Sequence, residues 1–415
     1  TANAQRKALL LGQRAPQYDA AAELSRSYHP SYDEVLLRIK QARDYFLLVG
    51  PPGTGKTSFG LMTTLHEALL TPDASILLLS YTNRAVDEIC SKLVEEKLDF
   101  IRIGNELSCP EIYRPYLLSS AVSECSRLAQ VKERIMSGRI FVGTTTALNT
   151  SISLFRLKSF DLAIVDEASQ ILEPHLMGLL SAVKDNAPAI RKFVFIGDHK
   201  QLPAVVQQHS DESRVQEAAL NDILLTDCRL SLFERLLKRY RERPEVVFML
   251  KRQGRMHHDI ADFPNRAFYA GQLTEVPLEH QQQPLPEAAP HADFFKKILT
   301  TQRIAFIAAP QPPKSPSDKV NQTEADLIAE AVVKIYELTG SNFDVAHTVG
   351  IIVPYRNQIA TIRNTLDRYG IPALHDITID TVERYQGSQR DYILYGFTIQ
   401  QYYQLNFLTD TVFEE

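Results

Sequence analysis

The sequence Phe46-Leu47-Leu48-Val49-Gly50-Pro51-Pro52-Gly53-Thr54-Gly55-Lys56-Thr57 sets the fold of this chain. Its apolar start is typical of a strand buried on both faces, and the rest has the spacing G-x-x-x-x-G-K-T. In this spacing the glycines let backbone N–H groups point at phosphate oxygens, the lysine reaches the β- and γ-phosphates, and the threonine hydroxyl can hold Mg²⁺. A helix that begins near Lys56 adds its positive N-terminal dipole. We therefore expect a nucleoside-triphosphate site at the end of a parallel strand.

An acidic pair ends another apolar run. Asp166 and Glu167 follow the strand-like segment Leu162–Val165, the place where a nucleotide hydrolase needs carboxylates opposite its phosphate loop. We expect Asp166 to hold Mg²⁺ through water and Glu167 to orient and deprotonate the attacking water. Gln201 follows the next buried strand and could sense a γ-phosphate with its uncharged side chain.

The composition excludes several classes of protein. The chain has 415 residues and a net charge of −5, and its length predicts two domains, because a single hydrophobic core stops growing well below this size. No run approaches the roughly 18 apolar residues that span a bilayer, and no signal peptide opens the chain, so we expect a cytoplasmic protein. The four cysteines contain no C-x-x-C pair, which argues against zinc, iron–sulfur and disulfide frameworks.

Apolar runs rich in β-branched residues alternate with helical stretches, the pattern of an α/β protein with parallel, doubly wound sheets. In the first half the predicted strands are Tyr45–Val49, Ile76–Ser80, Ile140–Thr144, Leu162–Val165 and Phe193–Ile196, with a helix at Ala85–Leu98. In the second half they are Ile304–Ala308, Val349–Val353, Ile377–Ile379 and Tyr392–Phe397, with helices at Glu324–Leu338 and Gln358–Tyr369. Between the halves we expect a charged helix at Arg235–Arg243 and exposed loops at Leu278–Pro290 and Pro310–Lys319.

Several motifs in fixed order resemble those of the superfamily-one helicases. The first half has GPPGTGKT (Gly50–Thr57), SYTNRAVDEI (Ser80–Ile89), VDEAS (Val165–Ser169) and GDHKQLP (Gly197–Pro203). The second half has RQGRMH (Arg252–His257), FYAGQL (Phe268–Leu273), IIVPYRNQ (Ile351–Gln358) and IDTVERYQGSQRD (Ile379–Asp391). The branch they resemble, the B branch, contains the nonsense-mediated-decay RNA helicases and the DNA replication helicase/nucleases. The resemblance runs from about Asp44 to the end of the chain.

This resemblance implies two RecA-like domains, with ATP and Mg²⁺ in the cleft between them and a single strand across both. The implied boundaries are residues 1–43 for a helical stalk or the end of an upstream domain, 44–247 for the ATP-binding domain and 248–415 for the second domain. Arg255 would come from the second domain as a γ-phosphate finger. The first domain would supply Gly50, Pro51, Pro52, Gly53, Thr54, Gly55, Lys56, Thr57, Asp166, Glu167 and Gln201.

The resemblance also implies residues that bind the strand. Their hydroxyls, amides and loop N–H groups suit phosphate contacts that do not read the bases. They are Ser80, Tyr81, Thr82, Asn83, Thr144, Thr145, Thr146, Pro354, Tyr355, Arg356 and Thr381. Capping or turn formation is the alternative role, and it is equally strong for Thr146 and Thr381.

Four departures from the family pattern concern the nucleotide. Gly254 stands where relatives carry a tyrosine that would stack on adenine, so base discrimination should be poor. Gln389 stands where an acidic residue would grip the ribose, and an amide lacks the charge-assisted gain. The glutamine that reads adenine could be Gln13, Gln17 or Gln41. The family's last motif, which carries a second arginine, is absent from the sequence, so we expect slow turnover.

The motifs look closer to those of the DNA replication group than to those of the RNA group. They favour single-stranded DNA as the partner and 5′-to-3′ movement as the outcome. The lack of a long apolar run predicts no membrane association. Two other functions stay open: an RNA helicase of the same branch, and a nucleotide-switched scaffold that hydrolyses little ATP. No nuclease domain is visible in the sequence.

Overall fold

The computed structural model describes residues 4–204, 206–287, 292–310 and 317–405. They form two compact units. The first takes the chain up to Met256 and then Pro264–Gln281, and the second takes His257–Phe263 and the chain from Gln282 onward. The segment 248–256, which the sequence placed in the second domain, therefore lies in the first unit.

The first unit is built on a parallel sheet of seven strands. In chain order they are β1 Tyr45–Val49, β2 Ile76–Ser80, β3 Ile101–Ile103, β4 Ile140–Thr144, β5 Phe160–Val165, β6 Ile190–Gly197 and β7 Val247–Met249. Their order in the sheet is β3-β4-β2-β5-β6-β1-β7. Parallel neighbours with crossover helices bury both faces, which is why the central strands are continuous apolar runs.

Alternate residues of each strand supply two separate cores. Leu47 and Val49 of β1 pack in one apolar cluster, and Phe46 and Leu48 pack in the other. Because successive side chains of a strand point to opposite faces, the two clusters cover the two sides of the sheet.

Helices cover both faces of this sheet. The first four are α1 Ala4–Leu10, α2 Asp33–Gln41, α3 Met62–Leu69 and α4 Asn83–Glu95. Further helices follow at Leu128–Ser137, Thr145–Thr150, Glu173–Ser181 and Leu232–Tyr240, and single turns lie at Leu118–Ala121, Leu154–Leu157, Ser210–Ser213, Ala218–Asn221 and Glu279–Gln282. The helix His258–Phe268 is divided between the units, with the residues up to Phe263 in the second and those from Pro264 in the first. Two-residue strands form a hairpin at Val183–Lys184 and Ala187–Pro188 and a parallel pair at Arg252–Gln253 and Thr274–Glu275.

The segment before β1 packs on the sheet in its described part. Leu9 and Leu10 of α1 belong to one apolar cluster, and Val35 and Ile39 of α2 belong to the other. This segment is thus an integral layer of the first unit, whereas the sequence suggested a stalk or an upstream domain for residues 1–43.

The expected charged helix at Arg235–Arg243 is a buried helix at Leu232–Tyr240. Arg235 is 1% exposed, and its guanidinium pairs with Glu173 at 2.6 Å. The apolar side chains between the charges explain this position, because they pack against one face of the sheet.

The second unit has a parallel sheet of three strands, β8 Val349–Ile352, β9 Thr378–Asp380 and β10 Tyr392–Tyr395, in the order β9-β8-β10. Its helices are Phe294–Thr301, Gln322–Thr339 and Arg356–Asp367, with a turn at Val382–Tyr385. Its core consists of Val349, Ile351 and the apolar faces of the two longer helices.

The predicted strand Ile304–Ala308 is wrong. The segment has no regular structure, and Ile304 and Phe306 are 58% and 80% exposed, so its apolar residues do not enter the core. The predicted loops Leu278–Pro290 and Pro310–Lys319 are partly described: Glu279–Gln282 forms a helical turn, and residues 288–291 and 311–316 lie outside the described residues. Within the described ranges, no helix is long and apolar enough to cross a membrane.

Candidate nucleotide site

The phosphate loop follows β1 at the carboxyl edge of the first unit's sheet, where parallel sheets bind ligands. Gly53 and Gly55 have φ of +75° and +74°, a region that glycine adopts without strain. A Cβ atom on Gly50 would lie 2.6 Å from Cβ of Lys56, so a larger residue there would clash with the loop itself. The G-x-x-x-x-G-K-T spacing thus forms the compact loop expected from the sequence.

Side-chain contacts hold the loop in this shape. The Thr54 hydroxyl donates to the carbonyl of Pro51 at 2.7 Å, and the Tyr32 hydroxyl donates to the carbonyl of Thr54 at 2.6 Å. The chain then makes a π-helical turn over Lys56–Leu61 and continues into α3. Such wide turns occur often at functional sites.

Thr57 and Asp166 are joined directly. The Thr57 hydroxyl donates to Oδ2 of Asp166 at 2.9 Å, and the backbone N–H of Glu167 donates to Oδ1 at 3.0 Å. Asp166 is 3% exposed. Burial raises the pKa of Asp166 to about 6, and the charge of Glu167 adds to the rise. A cation beside this carboxylate would favour its charged form.

Lys56 and Glu167 form an ion pair, with Nζ 2.7 Å from Oε1. Burial alone would lower the pKa of Lys56, but the charges of Glu167 and Asp166 outweigh it and raise the pKa. Glu167 has φ of +52°, and Nε2 of Gln170 donates to its other carboxylate oxygen at 3.2 Å. The strained turn after β5 therefore aims this carboxylate at the lysine of the phosphate loop.

Gln201 is held by a buried aspartate that the sequence did not single out. Oδ2 of Asp198 accepts hydrogen bonds from Nε2 of Gln201 at 2.8 Å and from the hydroxyl of Tyr269 at 2.7 Å. The Asp198 N–H donates to the hydroxyl of Ser169 at 3.2 Å. Burial raises the pKa of Tyr269, and the charge of Asp198 contributes. Asp198 is thus the link between the ends of β5 and β6 and the segment Pro264–Gln281.

Arg255 lies against the phosphate loop within the first unit. The Gly254 N–H donates to the carbonyl of Gly53 at 2.8 Å, and a Cβ atom on Gly53 would lie 2.5 Å from Cβ of Arg255. The arginine therefore reaches the nucleotide site from the first unit, although the sequence assigned it to the second domain. The reason is that the chain returns to the loop immediately after β7.

The residues of this site fit a magnesium nucleotide. Mg²⁺ is usually held by one or two protein oxygens together with phosphate oxygens and water. Thr57 and Asp166 offer two such oxygens within 2.9 Å of each other. In the described part of the chain, no three His, Cys, Asp or Glu side chains cluster around a possible metal position.

Two family profiles, both described as an AAA domain, match the chain, one over residues 30–139 and 123–209 and the other over residues 228–411. The DNA replication ATP-dependent helicase/nuclease JHS1 of Arabidopsis thaliana is 31% identical over 402 residues, which is 92% of this chain and 27% of that protein. The DNA replication ATP-dependent helicase/nuclease DNA2 of Homo sapiens is 29% identical over 403 residues, 91% of this chain and 34% of that protein. The chain belongs to the superfamily-one helicases. It spans 27% and 34% of the length of these two relatives.

Among solved structures, the arterivirus nonstructural protein 10 (helicase) in complex with DNA is similar to this superfamily-one chain with a TM-score of 0.37 and 15% identity. The similarity covers 83% of this chain and 61% of that chain. We conclude nothing further from a structural similarity this distant.

Seven of the eleven strand contacts expected of a superfamily-one helicase lie in the first unit, and the structure gives several of them other roles. Thr82 and Thr144 are N-caps, and their hydroxyls accept from the N–H groups of Ala85 and Ala147. Ser80 and Thr145 are fully buried, so their side chains cannot contact a strand in this conformation. The residues that keep exposed or half-buried side chains are Tyr81, Thr82, Asn83 and Thr146.

The other expected contacts lie in the second unit. Pro354 and Tyr355 follow β8, and Arg356 is the exposed first residue of the helix Arg356–Asp367. Thr381 follows β9, the parallel neighbour of β8, so both segments lie at the carboxyl edge of that sheet. Their contact with a strand stays a prediction, as does the ribose contact of the exposed Gln389.

None of the three candidate glutamines lies at the phosphate loop. Gln41 ends α2, ahead of β1, and its amide donates to the carbonyl of Ala22 at 3.2 Å. The N–H of Gln17 donates to Asp44, which also precedes β1. Both are at the amino-terminal edge of the sheet. Gln13 follows α1 next to Gly12, whose carbonyl accepts from Arg239.

Aromatic residues that the sequence did not single out lie beside the loop instead. Tyr32 and Phe59 stack with ring centroids 4.7 Å apart, and a Cβ atom on Gly55 would lie 2.8 Å from Phe59. Phe59 is 40% exposed, and its distance from His29 is 5.7 Å between ring centroids. This pair could replace the stacking face that Gly254 lacks.

We predict that the chain hydrolyses ATP and GTP comparably and that Phe59→Ala raises the KM for both by about fivefold or more. Stacking on an aromatic ring contributes about 1–3 kcal/mol per base and does not discriminate between bases. Steady-state kinetics with both nucleotides test this, with Phe306→Ala in the second unit as the matched control. A strong preference for ATP that persists in Phe59→Ala would show that another group reads the base.

Proposed function

We propose that this chain is an ATP-hydrolysing motor that moves along single-stranded DNA, in the 5′-to-3′ direction. The observation that carries the proposal is the pairing of Lys56 with Glu167 and of Thr57 with Asp166 in one site. A phosphate loop alone supports nucleotide binding, whereas a carboxylate at this loop also supports hydrolysis. DNA is favoured over RNA because the relatives are named DNA replication helicase/nucleases.

The residues divide the reaction between them. The N–H groups of the loop and Lys56 neutralise the phosphate oxygens, and Glu167 accepts a proton from the attacking water as the bond between the γ-phosphorus and its bridging oxygen breaks. Gln201, fixed by Asp198, orients that water or the γ-phosphate. Thr57 and Asp166 would hold Mg²⁺, which when bound supplies positive charge next to the phosphate oxygens.

The test is the steady-state ATPase rate without a strand, with single-stranded DNA, and with RNA of the same sequence. We expect DNA to stimulate hydrolysis more than RNA does. Stronger stimulation by RNA would identify an RNA helicase of the same branch. A rate that no strand changes would identify a nucleotide-switched scaffold and overturn the proposal.

We predict that binding of single-stranded DNA weakens steeply with added salt and hardly depends on sequence. The candidate contacts address the strand's backbone, and release of counterions from phosphates dominates such affinity. Fluorescence anisotropy with two oligonucleotides of equal length and different sequence, at several salt concentrations, measures both properties. Sequence-selective or salt-independent binding would contradict the prediction.

We also propose the cell compartment in which this chain acts. The relatives are named for DNA replication, and a chain that shares this role acts where the DNA is. In a eukaryotic cell that compartment is the nucleus rather than the cytoplasm expected from the sequence.

A further inference from the structure

A cavity of about 200 Å³ lies at the amino-terminal edge of the first unit's sheet, the edge opposite to the phosphate loop. It opens between α2 and α3, over the starts of β2, β5 and β6. Its apolar walls are formed by Leu36, Ile39, Ala68, Ala74, Ile76 and Leu162. None of these residues belongs to the nucleotide site or to the expected strand contacts.

Four charged side chains line the same cavity, and two carboxylates among them are already neutralised. Glu67 pairs with Lys40 at 2.6 Å and accepts hydrogen bonds from the hydroxyls of Ser25 and Tyr28. Burial would raise the pKa of Glu67, but the hydrogen bonds from Lys40, Ser25 and Tyr28 lower this pKa to about 2. Asp161 pairs with Arg191, outside the cavity lining, at 3.0 Å. The fourth group, Lys192, is therefore left without a counter-charge in the cavity.

Among the described residues, Lys192 has only uncharged partners. Its Nζ donates to the carbonyl of Ile39 and, at 3.3 Å, to the carbonyl of Lys40, both in the last turn of α2. Capping of the helix end accounts for two of the three N–H groups of an ammonium. Within the ranges that the structure describes, Lys192 forms no ion pair. Burial and the nearby charge of Lys40 lower the pKa of Lys192 to about 8, so the group is still mostly protonated at neutral pH.

We propose that this cavity binds a small aliphatic monocarboxylic acid, with its carboxylate on Lys192 and its chain against the apolar walls. A half-buried ammonium without a counter-ion gains a charge-assisted hydrogen bond from a single carboxylate. A second negative charge on the ligand would meet Glu67 and Asp161. The volume is below the roughly 300–1,000 Å³ of sites for drug-sized ligands, which restricts the ligand to a short chain.

The probe is hexanoate, with hexanamide as a neutral ligand of the same shape, measured by calorimetry and ligand-observed NMR on the whole chain. Hexanoate should bind to the wild type at least about tenfold more tightly than hexanamide does. Lys192→Met keeps the apolar stem and should lose this difference. Lys132→Met, an exposed lysine of the helix Leu128–Ser137, is the matched control and should bind like the wild type.

A second variant keeps the test valid if Lys192→Met unfolds. Ala68→Leu retains the lysine and fills the cavity, so it should weaken hexanoate binding by about tenfold or more. Absence of hexanoate binding to the wild type, equal binding of acid and amide, or full binding in Ala68→Leu would each overturn the proposal. None of these outcomes bears on the ATPase test, because the cavity lies at the other edge of the sheet.

Discussion

Arg255→Ala should lower the rate of ATP hydrolysis by about 10³-fold or more, the effect of removing an arginine that stabilises a phosphoryl-transfer transition state. The structure supports this role by placing Cβ of Arg255 against Gly53 of the phosphate loop. ATP binding should weaken much less, because the charge matters most as the γ-phosphate departs. Single-turnover hydrolysis and nucleotide affinity, measured separately, test the prediction.

Two variants control for charge and for stability. Arg255→Lys keeps the charge but not the planar guanidinium, so it should recover only part of the rate. Arg252→Ala removes a neighbouring exposed arginine, which donates to the hydroxyl of Ser31 at 2.7 Å, and should hydrolyse ATP nearly as the wild type does. If Arg255→Ala kept a tenth or more of the wild-type rate, Arg255 would not be the γ-phosphate finger.

Glu167→Gln should reduce turnover by about 10²–10⁴-fold, the usual contribution of a general base, and leave ATP bound. Glutamine has nearly the shape of glutamate and can still contact Gln170, but it cannot accept the proton of the attacking water. The measurement combines the steady-state rate with binding of ATP under conditions without turnover. Glu95→Gln, the same change on the exposed face of α4, is the matched control. Normal turnover in Glu167→Gln would remove the residue from this role.

The strands that bear the nucleotide site could be predicted closely because burial on both faces leaves an unmistakable apolar run. β1, β2 and β4 have the predicted bounds, and β5 and β6 are longer than predicted because they extend through polar residues such as Asp161 and Lys192. The edge strands β3 and β7 have three residues each, too few for a periodic signal.

In the second unit, one strand was predicted where the structure has none in the described residues. Ile304–Ala308 has the composition of a strand but pairs with no strand among the described residues, because composition reports the tendency to extend and not the presence of a neighbour. β8 and the helix Gln322–Thr339 were predictable, since their apolar positions repeat over enough residues to define a buried face.

The site was predictable only where its chemistry is local. Lys56 and Thr57 close the loop that follows β1, and Asp166 and Glu167 directly follow β5, so a parallel sheet brings the two pairs to the same edge. Asp198 received no role because its partner Tyr269 lies 71 residues further along the chain. Tyr32 and Phe59 were missed for the same reason: their stacking joins a loop before β1 to the turn after it.

The ion pair of Lys56 and Glu167 makes the proposed release of the base depend on binding of the nucleotide. The two groups are 2.7 Å apart, so a γ-phosphate that claims the ammonium must compete with the carboxylate for it. In the proposed mechanism, the Glu167 carboxylate is released to take a proton from water only when the γ-phosphate has taken its place on Lys56. Binding of ATP and activation of Glu167 are then a single exchange of partners on Lys56, so the base becomes available only when a γ-phosphate is bound.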